Sequence, residues 1–181
     1  YQRIDTCIDK KEYKNRYAKA VRFADENVAV IIEALKKQER YENALIIVTA
    51  DHGESFTERD VWFDHGTTAH EEQLHVPLII KYPKNRRAGT LDNRLVSLMD
   101  IAPTVVLESN LQALPKAKGL ALQNPEAPGH SIVYGENSHC KLYARSSCSP
   151  LGPLGKVFSL RTQNYTLIQN GDRWEQYDRI E

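Results

Sequence analysis

Apolar residues recur in the first part of the chain with the spacing of a long amphipathic helix. They stand three or four residues apart, at Tyr13, Tyr17, Ala20, Ala24, Val28, Ile31 and Leu35. This spacing places them on one helical face. Lys36 and Lys37 follow, and positive charge near a C-terminus suits the helix dipole. The pattern predicts a helix from Tyr13 to about Leu35.

Two short apolar runs after this helix predict β-strands. Residues 44–48 are all apolar and rich in β-branched side chains, which favours a strand covered on both faces, as in parallel sheets. Residues 76–82 form the second run. Pro77 lacks a backbone donor, so we expect it at the start of this strand or on a free side of the ladder. A helix followed by such a strand is typical of α/β folds.

The chain beyond these strands is richer in turn signals. Within residues 95–108, Asp100 is a candidate N-cap for a short helix with Pro103 in its first turn. Residues 109–130 contain several prolines and glycines and are predicted to be mostly loop. A weak strand is predicted at 131–134.

The C-terminal part alternates short apolar runs with turns. In residues 157–178, the turn signals Gln163–Asn164 and 170–172 separate runs that predict an antiparallel meander. We therefore divide the chain into an α/β part, residues 1–108, and a loop-rich part that ends in the meander, residues 109–181.

The amino-acid composition excludes several classes of protein. Lys+Arg and Asp+Glu both number 24, so the net charge is zero, and we expect neither a nucleic-acid partner nor a membrane surface. The hydrophobic share of 41% supplies a core. No apolar run is long enough to span a bilayer. The first residues lack a signal-peptide pattern and an initiator Met, as expected of a processed product or an excised segment. The compartment is left open.

The three cysteines imply no disulfide framework. Cys7, Cys140 and Cys148 cannot all pair within one chain. A bridge between Cys140 and Cys148 is one option in an oxidising compartment.

A carboxylate and an imidazole follow the first predicted strand. Asp51 and His52 come directly after residues 44–50, and Gly53 permits the turn that lets both side chains converge. Ligands of open α/β sheets bind beyond the carboxyl ends of strands. This donor pair suits Ca²⁺, Mg²⁺, Mn²⁺ or Zn²⁺. The alternative is a polar turn in which His52 has a structural role.

Histidines are concentrated just after this turn, at His65, His70 and His75. His65 precedes Gly66 and is a candidate donor to an anionic substrate or leaving group. His70 begins a predicted helical turn, and His75 adjoins the second strand. Both are interpreted as surface or supporting residues.

Four segments in order resemble the C-terminal half of a sulfatase of the alkaline phosphatase superfamily. The similarity runs from Tyr13 to Asp178. It includes the helix DENVAVIIEALKK, and it is carried by TADHGESF, HGTTAHEEQLHVPLIIKYP, LVSLMDIAPTVV and FSLRTQNYTLI…WEQYD. The resemblance implies an alkaline-phosphatase-like α/β fold, a mixed sheet flanked by helices, with a small C-terminal antiparallel meander.

The resemblance also implies roles for single residues. Asp51 and His52 match the pair that ligates the active-site divalent cation, for which Ca²⁺ is expected and Mn²⁺, Mg²⁺ or Zn²⁺ are alternatives. His65 matches a catalytic position near the ester oxygen of the substrate. His70 takes a position that is usually aromatic in the family, and it is included with His65 as a candidate substrate-binding residue.

The nucleophile of the family is not found upstream of Asp51. Sulfatases make a formylglycine from Cys or Ser in C/S-x-P-x-R, and phosphohydrolase relatives use Ser or Thr. Cys148 begins a similar triplet, but Gly152 stands where Arg is needed. The resemblance therefore implies a fragment whose nucleophile and further metal ligands lie in a missing N-terminal half. Alone, this fragment is expected to be inactive.

The expected function of the complete protein is hydrolysis of sulfuric esters. One alternative is a phosphodiesterase, phosphonate monoester hydrolase or phosphoethanolamine transferase of the same superfamily, acting on a phosphate or phosphonate ester. Another is a non-catalytic binding relative.

Overall fold

The computed structural model describes residues 9–58, 65–66, 68–112, 115–137 and 157–178. They fold as two compact units. The first comprises Tyr1–His65 with His75–Ala88, and the second comprises Gly66–Leu74 with Gly89–Glu181. None of the helices in the described part has the length and apolar character needed to cross a membrane.

The first unit begins with the predicted long helix, α1, which spans Lys10–Lys37. It starts earlier than the apolar pattern indicated because Asp9 caps it, with the side chain accepting the Lys11 N–H at 2.8 Å. Lys36 and Lys37 lie in its last turn, as expected from the helix dipole.

The two predicted strands of the first unit are confirmed as β1, Ile46–Thr49, and β2, Leu78–Lys81. Pro77 directly precedes β2, as its missing donor required, and its carbonyl oxygen accepts the Thr49 hydroxyl at 2.8 Å. The expectation of a parallel strand is wrong for the ladder described, since β1 and β2 pair antiparallel. β1 is also half-buried at three of its four residues. An apolar run indicates burial but does not specify the direction of the neighbouring strand.

The second unit contains the predicted meander, and the weak strand predicted at 131–134 is confirmed two residues further along the chain, at Val133–Asn137. The sheet has the antiparallel order β3-β4-β5-β6, with bounds Val133–Asn137, Val157–Arg161, Tyr165–Asn170 and Arg173–Asp178. Its buried cluster joins Ala69, Val157 and Ile168, with Tyr177 packed against them.

A short helix, α2, Glu71–Leu74, lies against this sheet in the second unit. The Glu71 carboxylate pairs with the Arg161 guanidinium at 3.0 Å. The side-chain oxygen of buried Gln73 accepts the backbone N–H groups of Gly66 at 3.0 Å and Thr68 at 3.3 Å. The ion pair of Glu71 and the hydrogen bonds of Gln73 together fix the position of α2.

The helix predicted near Asp100 is α3, Ile101–Glu108, entered through a 3-10 turn at Leu98–Asp100. Asp100 stands at the N-cap position of α3, as predicted, but its side chain makes no capping bond there, and Ser97 caps the preceding turn. Asp100 completes the capping box, and its carboxylate is fully buried. It accepts the N–H of Ser97 at 2.8 Å and that of Leu120 at 2.7 Å.

His130 Nε2 donates to the same Asp100 carboxylate at 2.8 Å. Residues 109–130 have no helix or strand in their described part, as predicted. They are nevertheless attached to Asp100 through both Leu120 and His130.

Replacing Gly119 by Ala should destabilise the second unit. A Cβ at this position would lie 2.1 Å from the Met99 carbonyl oxygen and 2.8 Å from the Asp100 nitrogen, both backbone atoms. We expect a loss of about 1–3 kcal/mol, typical of overpacking, measured as a lower urea midpoint. Lys118→Ala, at the exposed neighbouring position, is the control. Equal midpoints for both variants would contradict the close approach.

Candidate active site

The candidate site is a turn that begins two residues after β1. The carboxylate of Asp51 accepts the backbone N–H of His52 through Oδ1 at 3.0 Å. Its other oxygen, Oδ2, lies 3.6 Å from His52 Nε2. Both side chains are exposed, Asp51 by 88% and His52 by 46%. The two residues that would point to opposite faces of a regular strand thus present their polar atoms to one point.

The tautomer of His52 follows from its neighbour. His52 Nδ1 lies 2.9 Å from the carbonyl oxygen of Gly53. A carbonyl oxygen only accepts, so in the neutral ring Nδ1 carries the proton and Nε2 carries the lone pair. Metal-binding histidines are commonly oriented by this kind of hydrogen bond from the other ring nitrogen. The lone pair lies on the nitrogen nearer to Asp51 Oδ2.

This pair fits a divalent cation as two of its ligands. Ligand atoms about 2.0–2.4 Å from one ion stand about 3–4 Å apart, and Oδ2 and Nε2 are separated by 3.6 Å. Carboxylate oxygen and imidazole nitrogen suit Ca²⁺, Mg²⁺, Mn²⁺ and Zn²⁺. Within the described ranges, no group of three or more His, Cys, Asp or Glu side chains could hold a metal ion. The ligand assignment stays a prediction.

The structure brings His65 to the same turn. Its ring stacks on that of His52, with centroids 4.1 Å apart and an interplanar angle of 22°. His65 Nδ1 lies 3.2 Å from Glu54 Oε2, and the Glu54 side chain is only 5% exposed. The catalytic assignment of His65 stays a prediction, but its proximity to His52 agrees with it.

Glu54 is the residue of this site that sequence reasoning missed. Glu54 lies in the TADHGESF segment, but the sequence pattern indicates no role for it. A buried carboxylate needs a hydrogen-bonding partner, and the chain supplies His65 eleven residues later. The sequence signal is an acidic residue directly after the predicted metal-ligand turn, followed by an imidazole beside a glycine.

An aromatic cluster holds the turn against α1. The Phe56 ring meets Tyr17 edge-on at 4.9 Å and Tyr13 at 5.9 Å. The Lys14 ammonium lies 5.5 Å from the centre of the same ring. The Glu58 carboxylate accepts the Phe56 N–H. Contacts of this kind fix the chain just beyond the Asp51–Glu54 turn.

His70 lies in the second unit, packed against β6. Its side chain is 9% exposed, its Nε2 lies 3.7 Å from Glu175 Oε2, and its ring meets Tyr177 edge-on at 5.4 Å. These contacts account for the burial of the ring, and the substrate-binding assignment of His70 stays a prediction. His75 is exposed. The cysteines and the Cys148–Gly152 segment lie outside the described residues.

Two family models match the chain. The model described as Sulfatase matches residues 1–107. The model described as N-sulphoglucosamine sulphohydrolase, C-terminal, matches residues 58–181. Together they cover the chain, and the first includes the whole candidate site.

Similar proteins with curated names or solved structures agree with these matches. The N-acetylglucosamine-6-O-sulfatase of Bacteroides thetaiotaomicron is 27% identical over 93% of this chain and 30% of its own length. A protein solved in complex with its substrate D-glucosamine-2-N,6-O-disulfate is 28% identical, with a TM-score of 0.66, over 85% of this chain and 31% of that one.

A more distant structure, a 2-O GAG sulfatase, has a TM-score of 0.75 at 18% identity, over 93% of this chain and 36% of that one. This likeness confirms the predicted alkaline-phosphatase-like α/β fold. The chain spans less than a third of the length of the first curated relatives it matches.

Glu58 gives this region a pH-dependent stability. Burial raises the pKa of Glu58, but the backbone N–H groups of Glu58 and Phe56 and the charges of Lys10 and Lys14 outweigh it, so the pKa lies below its usual value. The stabilisation is therefore present above the unfolded pKa of about 4.3 and is lost as pH falls through the lower folded value.

Glu58→Gln should lower the free energy of unfolding at pH 6 and lower it much less near pH 3, measured by urea denaturation. Glu126→Gln, in an exposed part of the second unit, is the control. A Glu58→Gln effect of the same size at both pH values would contradict this account.

Proposed function

The chain belongs to the sulfatase family, and from this premise we propose that it carries the metal-ligand turn and the leaving-group histidine of a sulfuric ester hydrolase. The observation that carries the proposal is the convergence of Asp51 Oδ2 and His52 Nε2, 3.6 Å apart, beneath the stacked ring of His65. Two candidate ligands for a cation thus lie beside a side chain that can donate a proton.

The substrate we propose is a sulfate ester of a sugar. The similar N-acetylglucosamine-6-O-sulfatase and the structure in complex with D-glucosamine-2-N,6-O-disulfate support this class of substrate. The chain has no net charge, so attraction of an anionic ester depends on local positive charge rather than on the field of the whole chain.

Each residue of the proposed site has a separate role. Asp51 and His52 would hold a divalent cation, with Ca²⁺ the expected ion. When bound, such an ion neutralises charge on the oxygens of the transferred group. His65 would stabilise the departing ester oxygen by donating a proton or a hydrogen bond. The nucleophile and the remaining metal ligands would come from outside the described residues, and this chain alone would not turn over substrate.

Asp51→Asn in the full-length protein should weaken metal binding and lower turnover together. Loss of groups that merely support metal ligands costs about 10–100-fold, so loss of a ligand should cost at least about tenfold. Mn²⁺ affinity by electron paramagnetic resonance and the rate on an aryl sulfate would be measured.

Asp25→Asn removes an exposed carboxylate on α1 and serves as the matched control. If Asp51→Asn bound Mn²⁺ as the control does, the ligand assignment would be wrong. Turnover of an aryl phosphate in place of the sulfate would favour the phosphohydrolase alternative. Turnover of neither by the wild type would favour a non-catalytic relative.

His65→Ala should slow esters with poor leaving groups more than activated aryl esters, because only poor leaving groups depend on a proton donor. We expect a loss of about 10²–10⁴-fold in kcat for an alkyl or sugar sulfate and a much smaller loss for 4-nitrophenyl sulfate. A similar loss on both substrates would argue against a leaving-group role.

A further inference from the structure

The carboxylate of Glu54 occupies a place in the site that the proposed chemistry does not use. It lies two residues after His52, and its side chain is 5% exposed. Its Oε2 is 3.2 Å from His65 Nδ1. Asp51, by contrast, is 88% exposed in the same turn. Two carboxylates three residues apart thus face different surroundings, one solvent and one the protein.

This contact decides which ring nitrogen of His65 carries the proton. An ionised carboxylate only accepts, so a neutral His65 bonded to Glu54 holds its proton on Nδ1. In this neutral tautomer Nε2 carries the lone pair. In the imidazolium form, Nε2 carries the second proton. A hydrogen bond to a charged group is stronger than a hydrogen bond between neutral groups. Burial of the carboxylate strengthens the bond further, because the local dielectric is low.

The stack of His65 on His52 adds a second restraint. With the ring centroids 4.1 Å apart and the ring planes within 22° of parallel, the stack restrains the plane of the His65 ring. A half-turn of the ring within this stack exchanges its two edges. Glu54 favours one of the two ring orientations, because only that orientation places Nδ1 next to the Glu54 carboxylate. Stacking therefore fixes the plane of the ring, and Glu54 fixes its orientation within that plane.

We propose that Glu54 is a positioning residue that fixes the tautomer and the ring orientation of His65, so that Nε2 is the atom that meets the departing ester oxygen. This inference rests on the proposed leaving-group role of His65. Glu54 touches neither the substrate nor the cation in this account and acts only through His65.

The first test observes the tautomer directly in the metal-free chain. Histidines labelled with ¹⁵N are assigned by nuclear magnetic resonance at about pH 8.5, where an ordinary imidazole is neutral. We expect His65 to show the Nδ1–H tautomer in the wild type and in Glu54→Gln, whose amide oxygen still accepts. In Glu54→Leu, of similar volume but without an acceptor, His65 should shift to the Nε2–H form that water favours.

Glu58→Gln is the matched control for this test. It removes a carboxylate charge from the same segment, and the Glu58 carboxylate accepts the backbone N–H of Phe56. His65 should keep the Nδ1–H tautomer in this variant. An Nε2–H tautomer at His65 in the wild type would overturn the proposal, whatever the activity of the enzyme.

The second test asks whether Glu54 acts through His65. In the full-length enzyme, Glu54→Leu should lower kcat for a poor leaving group by about tenfold or more, with KM little changed. Glu54→Gln should restore most of the loss. In a His65→Ala background the Glu54→Leu change should have almost no further effect, because the group it positions is gone.

Additive losses in the double variant would overturn the positioning role and leave the proposed function standing. A His65→Ala enzyme with the wild-type rate would overturn the leaving-group role itself, and the role of Glu54 with it. The two failures are therefore distinguishable.

Discussion

The imidazole of His52 donates a hydrogen bond from Nδ1 to the carbonyl oxygen of Gly53 at 2.9 Å, and the chemistry of the site depends on that hydrogen bond. It leaves the Nε2 lone pair 3.6 Å from Asp51 Oδ2. With the opposite tautomer, Nε2 would carry a hydrogen and would repel a cation. A single backbone carbonyl thus determines whether the carboxylate and the imidazole can serve the same ion.

The rest of the first unit keeps this turn in place. The antiparallel pair β1 and β2 ends at Thr49, whose hydroxyl donates to Pro77. Beyond the turn, Phe56 packs edge-on against Tyr13 and Tyr17 of α1. The site is therefore a short polar segment held at both ends by apolar or backbone contacts, which is how a rigid scaffold supports exposed functional groups.

Sequence reasoning succeeded where the information is local. The helical spacing before Leu35 predicted α1, and the turn signals predicted the C-terminal meander. The strand followed by Asp51 and His52 predicted their convergence. What it missed depends on partners distant in the chain. Nothing near Asp100 indicated its bonds to Leu120 and His130, 20 and 30 residues away. Strand direction in the β1–β2 pair is likewise a property of the fold rather than of either strand.

The central claim, a divalent cation held by Asp51 and His52, is tested most directly by anomalous diffraction from Mn²⁺-loaded crystals of the full-length protein. The account predicts an anomalous peak about 2.0–2.4 Å from both Asp51 Oδ2 and His52 Nε2. Mn²⁺ bound elsewhere, with no peak between these two atoms, would contradict it.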